Sequence, residues 1–313
     1  MKCLLCHNDN VPTIEKHKIE NLKRLWVSSG IDVNNELGKD YLEVYNCTNC
    51  GLRFFDPILA GGDKFYSELG KFDWYYNHPG KTEYDFVQQY MKDGMKVLDI
   101  GSGRGVLSTK INNKVEYTGI ELSTKAVELA KEDGINVIKE NLAIHVKKHQ
   151  NYYDIVCLFQ VLEHMTELDN FLECIYSTLK NDGLFVIAVP DNDGFASKTP
   201  NYTFNLPPHH TILWTEKSLR YLAKKYNFEN VTVNREPLQD IHKEIAYKSY
   251  IIWRIKKFLF LPSNLLDRTI RHRVITKAVN SLTKNTRIKN FMFELASKYQ
   301  KNGQSIITVL KKK

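Results

Sequence analysis

Two pairs of cysteines near the beginning of the chain have the spacing of a metal site. Cys3 and Cys6 form one CxxC pair, and Cys47 and Cys50 form the other. Four thiolates fill all the positions of a tetrahedral zinc ion, so the predicted site is structural and not catalytic. The 40 residues between the pairs exceed the usual separation of about 15–20. They predict a hairpin or helix inserted from residue 11 to residue 45.

Two other interpretations of these cysteines stay open. His7 follows the first pair directly and could replace one thiolate as a ligand. A redox function is disfavoured, because neither CxxC pair opens a helix after a strand. The remaining cysteines, Cys157 and Cys174, lie in apolar surroundings and are predicted to belong to the core.

A second candidate site is the glycine-rich stretch VLDIGSGRG. Gly101, Gly103 and Gly105 follow a short apolar segment, and glycines at the end of a strand let a ligand approach the backbone. The spacing GxGxG differs from the GxGxxG of dinucleotide sites. Asp99 precedes the loop, where a carboxylate disfavours a pyrophosphate and favours a cofactor with an ammonium group. Glu121 follows the next strand and can accept both hydroxyls of a ribose.

Three of the ten histidines lie where a general base would be useful. His164 comes just past the fourth predicted strand, and His209 and His210 follow two prolines in a long loop. Histidine is the usual general base near neutral pH. The structural interpretations are a helix-start residue for His164 and a loop-packing motif for the pair. Glu163 could orient a histidine or cap the next turn, and the structural role is favoured.

Alternating strands and helices must position these residues. The segments MKVLDIG, VEYTGIEL, INVIKEN, YYDIVCLFQVL, GLFVIAVP, FENVTVNRE and QSIITVLKKK have the apolar character of strands. Helical stretches separate them, among them STKAVELAKEDG and LDNFLECIYSTLKNDG, the second ending at Gly183. This alternation predicts an α/β fold with a doubly wound, Rossmann-like parallel sheet. The loop 191–214 is long enough to be functional, and the aromatic stretch 72–84 is a candidate lid or core segment.

VLDIGSGRG, then GIEL, then FQVLEHM resembles the class I S-adenosylmethionine-dependent methyltransferases over residues 66–236 and the last strand. The resemblance implies a seven-stranded sheet whose last strand is antiparallel. It also implies that the glycine loop holds the amino-acid end of the cofactor, that the acidic residue after the second strand binds the ribose, and that the third strand ends near the adenine. Asn141 departs from the more common acidic residue there. The implied cofactor-binding residues are Asp99, Gly101, Ser102, Gly103, Glu121, Leu122, Asn141, Leu142, Phe159 and Gln160.

The cysteine block has a resemblance of its own. CxxC…CxxCGLxFxxP ahead of a methyltransferase core is similar to methyltransferases of bacterial sugar and surface-polysaccharide pathways. VLEH and PPHH recur in the small-molecule branch of the same family. These resemblances imply a sugar, sugar-nucleotide or glycan acceptor. The matching residues are Cys3, Cys6, Cys47, Cys50, Gly51, Leu52, Phe54 and Pro57.

Positive charge is concentrated late in the chain. The formal net charge is +8, and residues 241–303 together with the three C-terminal lysines supply more than all of it. Residues 248–262 mix lysine and arginine with aromatic residues, as amphipathic helices at anionic membranes do. A helical cap, a homodimer contact, a membrane surface and a substrate-docking surface all stay open. The cysteine region has balanced charges, which disfavours nucleic acid as its ligand.

The sequence therefore predicts three units. Residues 1–65 form a zinc-ribbon-like module, residues 66–237 and 304–313 form the cofactor-binding core, and residues 238–303 form a basic helical insertion. The predicted function is O-methylation of a sugar or glycan precursor, with a nucleic-acid or protein methyltransferase as the alternative. No signal peptide or membrane span is predicted, so we expect a cytoplasmic protein, or one at the inner face of the membrane.

Overall fold

The computed structural model describes residues 1–33, 37, 40–72, 81–112 and 114–313. Most of the aromatic stretch 72–84, the candidate lid, lies outside these residues. The strands are β1 (Thr13–Lys18), β2 (Tyr41–Asn46), β3 (Arg53–Asp56), β4 (Lys96–Ile100), β5 (Glu116–Glu121), β6 (Val137–Lys139), β7 (Tyr153–Phe159), β8 (Leu179–Pro190), β9 (Ile212–Leu213), β10 (Phe228–Pro237) and β11 (Asn302–Lys312).

The helices alternate with the strands of the middle region and cluster near the end of the chain. They are α1 (Ile19–Ser28), α2 (Asp63–Leu69), α3 (Thr82–Gln88), α4 (Thr124–Glu132), α5 (Leu142–His145), α6 (Leu168–Thr178), α7 (Glu216–Lys225), α8 (Asp240–Phe258), α9 (Ile270–Leu282) and α10 (Thr286–Ser297). Within the described residues, no helix is long and apolar enough to cross a membrane.

A seven-stranded sheet forms the centre of the fold, in the order β10-β11-β8-β7-β4-β5-β6. The five strands from β8 to β6 are parallel, whereas β11 runs antiparallel to both β8 and β10. The α/β fold and the inserted antiparallel last strand are therefore confirmed. The carboxyl ends of β4, β5 and β7 meet at one edge, where parallel sheets bind ligands.

Both faces of this sheet are buried, as a parallel sheet requires. Along β7, Val156 and Leu158 belong to one apolar cluster, and Ile155 and Cys157 belong to another. All four side chains are inaccessible to solvent. This explains why the segment is apolar at every position and why Cys157 is a core residue, as predicted.

The first 60 residues supply three strands of a second, four-stranded sheet in the order β1-β2-β3-β9. The insertion between the cysteine pairs is a strand, a helix and a strand (β1, α1 and β2), which confirms the predicted elaboration. The fourth strand, β9, comes from the loop that follows β8. Its Leu213 and Ile212 pair with Arg53 and Phe54 of β3. The long loop therefore completes the N-terminal sheet.

Three helices, α8, α9 and α10, lie between β10 and β11 in chain order. Lys256 near the end of α8 is buried with Asp267, and their charged atoms are 2.6 Å apart. Glu244 of α8 also contacts Lys289 of α10 at 2.8 Å. The first pair ties α8 to the segment just before α9, and the second ties α8 to α10.

The helix predicted to end at Gly183 ends earlier, at Thr178. Leu179 is fully buried and lies opposite Tyr153 in β7. Asp182 adopts a positive φ of 61°, which a continuing helix does not allow. Pairing with β7 thus ends the helix before the glycine that the sequence pattern favoured.

Candidate active site

The glycine loop begins directly after β4. Gly101 has a φ of 68°, and a Cβ at this position would lie 2.5 Å from a methyl group of Val161. Gly103 also has a positive φ, of 55°. The chain can therefore turn sharply and leave its backbone exposed only because glycine stands at these positions.

Asp99 lies beneath this loop and outside the cleft described below. Its side chain is buried, and its Oδ2 accepts a hydrogen bond of 2.9 Å from the Tyr117 hydroxyl. Burial raises the pKa of Asp99 to about 7, because water no longer stabilises the charged form. Asp99 thus supports the loop from below. Ser102 is buried too, with its hydroxyl close to Gly119.

Glu121 ends β5, and the backbone fixes its carboxylate in one orientation. Oε2 accepts a hydrogen bond of 2.9 Å from Gly103 N, and Oε1 accepts bonds from Leu122 N and Ser123 N at 2.7 and 2.9 Å. The glycine loop and the predicted ribose ligand are therefore joined directly. The Leu122 side chain is 67% exposed and borders the cleft.

Asn141 has a local role that accounts for the departure from an acidic residue. Its Oδ1 accepts a hydrogen bond of 2.9 Å from Ile144 N and caps α5. Leu142 follows it and is buried. An N-cap residue and an apolar neighbour thus form the border of the cleft next to β6.

Phe159 and Gln160 end β7 at the same edge of the sheet. Gln160 has a φ of 57°, and its side-chain amide donates to Ser305 Oγ at 3.0 Å and to Glu83 at 3.3 Å. These bonds tie the end of β7 to β11 and to α3. Phe159 is buried and forms part of the cleft wall.

One cleft of about 1450 Å³ connects the two groups of predicted residues. At one end it is bordered by the glycine loop, Glu121 and Asn141, and at the other by three histidines. The N-terminal region contributes Tyr66, and the start of α8 contributes His242. All the predicted cofactor-binding residues except Asp99 border this cleft, as do the three predicted catalytic residues, His164, His209 and His210.

His164 lies in a short 3-10 helix, Leu162–His164, just after β7. Its Nδ1 makes a short hydrogen bond to the carbonyl oxygen of His209 and lies 3.4 Å from the Tyr66 hydroxyl. Because a carbonyl only accepts, Nδ1 carries the hydrogen and Nε2 carries the lone pair. Burial lowers the pKa of His164 to about 4.

His209 and His210 stack on each other, with ring centroids 4.4 Å apart. His209 Nδ1 donates to the Phe204 carbonyl at 2.8 Å, and His210 Nδ1 contacts Asn205 Oδ1 at 3.2 Å. Burial lowers the pKa of His209 to about 3 and the pKa of His210 well below its usual value. Both rings are therefore neutral at pH 7.

The loop that carries these histidines is anchored to the N-terminal region. Trp26 Nε1 donates to the carbonyl of Pro207 at 2.7 Å, and Gly61 N donates to the carbonyl of Pro208 at 2.8 Å. Thr211 N donates to the carbonyl of Glu163 at 2.9 Å. The two histidines are thus held from both sides.

Glu163 is fully buried beside the histidines and does not cap a helix. Neither of its oxygens has a hydrogen-bond partner among the described residues, and Oε1 lies 3.8 Å from His210 Nε2. Burial raises the pKa of Glu163 to about 8. The expected structural role of Glu163 is therefore not a cap, and its side chain belongs to the site.

The four predicted metal ligands lie together. Cys3 Sγ is 3.5 Å from Cys50 Sγ, and Cys6 Sγ is 3.4 Å from Cys47 Sγ, with all four sulfurs within 4.8 Å of one another. All four are free thiols. Sulfurs around tetrahedral zinc, with bonds near 2.3 Å, are about 3.8 Å apart, so this arrangement fits the metal.

His7, the alternative ligand, points elsewhere. Its Nε2 lies 2.7 Å from Asp169 Oδ2 and 3.3 Å from Lys225 Nζ. Lys225 also donates to the carbonyl of Leu5 at 2.8 Å. His7 thus attaches the first cysteine pair to α6 and α7.

Comparison with known proteins agrees with this geometry. A family model described as "Methyltransferase domain" matches residues 80–233. Residues 80–233, about half of the chain, therefore match a methyltransferase domain. The segment that the family model matches begins just before α3 and ends within β10. It therefore includes the glycine loop, Glu121 and all three histidines. The match supports S-adenosylmethionine as the cofactor.

Individual relatives of the methyltransferase domain are distant. The ubiquinone biosynthesis O-methyltransferase of Salmonella paratyphi A is 29% identical over 108 residues, which are 32% of this chain and 45% of that protein. The protein of the same name from Photorhabdus laumondii is 31% identical over 97 residues, or 29% and 40% of the two chains. The chain thus spans less than half of the length of these relatives.

A solved structure shows the same fold. The crystal structure of a SAM-dependent methyltransferase from Archaeoglobus fulgidus aligns with a TM-score of 0.51 and 20% identity, over 78% of this chain and 99% of that one. The part of the chain that shares this fold is therefore longer than the segment that the family model matches.

Several residues around the methyltransferase cleft escape prediction from sequence. Tyr66, Tyr202 and His242 border the cleft but come from three separate parts of the chain. No motif surrounds Tyr66 or His242, and for Tyr202 the only signal is its place in the long loop 191–214. Glu163 could have been predicted as a site residue, because it directly precedes His164 in the sequence.

Proposed function

We propose that the protein is an S-adenosylmethionine-dependent O-methyltransferase acting on a sugar or a glycan precursor. The observation that carries the proposal is the continuous cleft that joins the glycine loop and Glu121 to the buried histidines. Methyl transfer needs a cofactor and an acceptor held side by side, and positioning supplies much of the acceleration.

The cofactor end of the cleft suits S-adenosylmethionine. The Glu121 carboxylate is already oriented by the backbone N–H groups of Gly103 and Ser123, so it can accept the ribose hydroxyls without reorganising. The exposed backbone at Gly101 lets the amino-acid end of the cofactor approach closely. When bound, the cofactor supplies an activated methyl group on a sulfonium.

The acceptor end is assigned to His164, His209 and His210. In the reaction a bond forms between an acceptor oxygen and the methyl carbon, while the bond from carbon to sulfur breaks and its electron pair stays on sulfur. The acceptor hydroxyl loses its proton, so the site must favour the deprotonated oxygen. Neutral histidines at the far end of the cleft are placed to activate such a hydroxyl.

Two observations support an oxygen acceptor on a small molecule. The relatives are named as O-methyltransferases of ubiquinone biosynthesis, which favours oxygen. The cysteine block resembles that of sugar-pathway methyltransferases, and Tyr66 of α2, which follows the block in the chain, borders the acceptor end of the cleft. We therefore favour a sugar hydroxyl and regard a phenol as the acceptor to test beside it.

Two further assignments accompany this function. Zinc at Cys3, Cys6, Cys47 and Cys50 is proposed to be structural, because four thiolates leave no open position. The basic helices α8 to α10 are proposed to touch an anionic membrane surface, since exposed phenylalanines occur with a strong excess of lysine and arginine. Charge complementarity favours this surface over a neutral partner.

The test begins with binding of S-adenosylmethionine, measured by calorimetry. The protein is then incubated with the cofactor and with sugar nucleotides, glycan fragments, phenols or oligonucleotides, and products are analysed by mass spectrometry. Addition of one methyl group to a sugar hydroxyl is expected. Methylation of phenols or oligonucleotides alone would contradict the acceptor class, and failure to bind the cofactor would contradict the function itself.

A further inference from the structure

The three histidines of the cleft form more than a row of candidate bases. One ring nitrogen from each of His164, His209 and His210 lies within 4.8 Å of the others. The ring centroids of His164 lie 4.8 and 5.0 Å from those of the other two. Three imidazoles whose nitrogens lie this close together are a typical donor set for a transition-metal ion.

Each ring keeps the same nitrogen, Nε2, as its lone-pair donor, because its Nδ1 is engaged elsewhere. His164 Nδ1 donates to the His209 carbonyl, and His209 Nδ1 donates to the Phe204 carbonyl. Both acceptors are backbone oxygens, so both rings carry their lone pair on Nε2. A histidine that binds a metal usually donates its other N–H to such an oxygen.

The tautomer of His210 is set by a chain of amides. Asn192 Nδ2 donates to the Pro190 carbonyl, and Asn205 Nδ2 donates to Asn192 Oδ1 at 2.8 Å. This orients Asn205 so that its Oδ1 faces His210 Nδ1, at 3.2 Å. Nδ1 is therefore the donor, and the lone pair is again on Nε2.

Glu163 provides a fourth donor, an oxygen, which becomes negatively charged when a cation takes the place of its proton. Its carboxyl group is fully buried without a hydrogen-bond partner among the residues that the structure describes. Its Oε1 lies 3.8 Å from His210 Nε2. Burying a carboxyl group without a partner is costly, and a cation between it and the imidazoles would remove that cost.

We propose that His164, His209 and His210, together with Glu163, bind one divalent transition-metal ion at the acceptor end of the cleft. Nitrogens about 2.1 Å from a tetrahedral ion are about 3.4 Å apart, so the rings need to close by little more than an ångström. Three imidazoles and one carboxylate suit zinc and its neighbours in the first row.

The role of this ion rests on the proposed function. A hydroxyl group coordinated to a divalent ion has a lowered pKa, so the ion would help the acceptor lose its proton to water. The oxygen then forms its bond to the methyl carbon as the carbon–sulfur bond breaks. Binding of the ion itself does not depend on this role, and the two can be tested separately.

Cobalt(II) is the probe, because its spectrum distinguishes sulfur from nitrogen ligands. The purified full-length chain is stripped with a chelator under reducing conditions and titrated with cobalt. We expect two sites, one with thiolate charge-transfer bands at the cysteines and one with the weaker ligand-field bands of nitrogen and oxygen ligands. Wild-type protein that shows only the thiolate site would overturn the proposal.

Two variants assign the second site. His209→Ala and His210→Ala are expected to lose the nitrogen-ligand spectrum and to keep the thiolate bands, which also report that the N-terminal region is folded. His149→Ala is the matched control, since His149 lies outside the cleft, and it should keep both sites. Retention of the second spectrum in both cleft variants would refute the assignment.

Calorimetry on the same samples separates this inference from the proposed function. His209→Ala and His210→Ala should bind S-adenosylmethionine within about threefold of wild type, because the cofactor end is unchanged. If the cofactor does not bind to wild-type protein, the proposed function fails while the cobalt result stands. If the chelated enzyme methylates its acceptor at the full rate, the role of the ion fails.

Discussion

At the scale of single residues, the cleft and the region beneath the glycine loop hold polar groups in two contrasting ways. Glu121 is fixed by three backbone N–H groups at the surface of the cleft, whereas Asp99 and Glu163 are buried with few partners or none. Hydrogen bonds to a carboxylate favour its charged form, and burial favours its neutral form. Because the environments differ, we expect Glu121 and Asp99 to respond differently to mutation.

Glu121→Ala tests the cofactor end of the cleft. The variant loses the acceptor of two ribose hydroxyls, and hydrogen bonds to a charged group contribute about 1.5–3 kcal/mol each. Binding of S-adenosylmethionine, measured by calorimetry, should weaken by at least about 10²-fold. Glu128→Ala, on the exposed side of α4, is the control and should bind normally. Unchanged affinity in Glu121→Ala would contradict the assignment.

Asp99→Asn tests the buried carboxyl group beneath the loop. The pKa of Asp99 is about 7 in the folded chain, against an ordinary value of 3.8. Between these values the folded state binds more protons than the unfolded state, so this group lowers stability as the pH rises from about 4 to about 7. The asparagine can still accept from Tyr117 but does not titrate.

The variant should therefore gain stability relative to wild type as the pH rises, by up to about 4 kcal/mol, since one pKa unit corresponds to about 1.4 kcal/mol. Urea unfolding at several pH values measures this difference. Parallel stability curves for the two proteins would show that Asp99 does not titrate in this range.

At the scale of elements, α8 connects two distant parts of the molecule. Its first residues border the cleft through Ile241 and His242, and its 19 residues extend about 28 Å from there. At the far end Phe258 is 81% exposed and Phe260 is 96% exposed. An acceptor carried by a lipid could thus reach the cleft while the aromatic end touches the membrane.

Replacing both phenylalanines by serine tests the membrane contact. Each exposed aromatic ring that enters a bilayer contributes about 1.5–3 kcal/mol, so Phe258→Ser with Phe260→Ser should weaken binding to anionic vesicles by at least about 10²-fold. Co-sedimentation with vesicles measures the binding. Val231→Ser, an exposed position on β10, is the control and should bind like wild type.

Vesicles without anionic lipid should bind much less, since the helices also supply positive charge. Equal binding to neutral vesicles would contradict the electrostatic part of the proposal. Self-association of the wild-type chain that the two serines abolish, with no vesicle binding, would instead identify a contact between copies of the chain.

Sequence reasoning succeeded for elements whose signals are local. The succession of strands along the chain, the glycine loop and the clustering of the cysteines all follow from short patterns with a direct physical cause. It failed for groups that tertiary packing brings together, such as Tyr66 and His242. Glu163 belongs to both classes, because its neighbour His164 was visible in the sequence but its burial was not.

At the scale of the whole molecule, the N-terminal sheet and the methyltransferase core share a loop. The residues after β8 carry His209 and His210 and then form β9, which pairs with β3. The cysteine knuckle also contacts α7, since Lys217 Nζ donates to the carbonyl of Thr48 at 2.9 Å. A substitution of the cysteines should therefore alter the structure at the acceptor end of the cleft.

Cys47→Ser tests this connection. The variant should lose one equivalent of zinc and about 3 kcal/mol or more of stability, roughly 5–10 °C in Tm. At temperatures where it stays folded, we expect a larger loss in kcat than in affinity for S-adenosylmethionine. Cys174→Ser, at a half-buried position on α6 that borders the cleft, is the control for zinc content and Tm only. Normal zinc content and Tm in Cys47→Ser would contradict a structural metal.

The pairing of β9 with β3 has a consequence for anyone who exchanges parts between related enzymes. A chimera that joins the first 60 residues of one protein to the core of another would place a foreign strand against Arg53 and Phe54. The histidines two and three positions before β9 would lose their support with it. The part that can be exchanged is therefore discontinuous in sequence. A functional chimera has to take residues 1–60 and the loop 191–214 from the same protein.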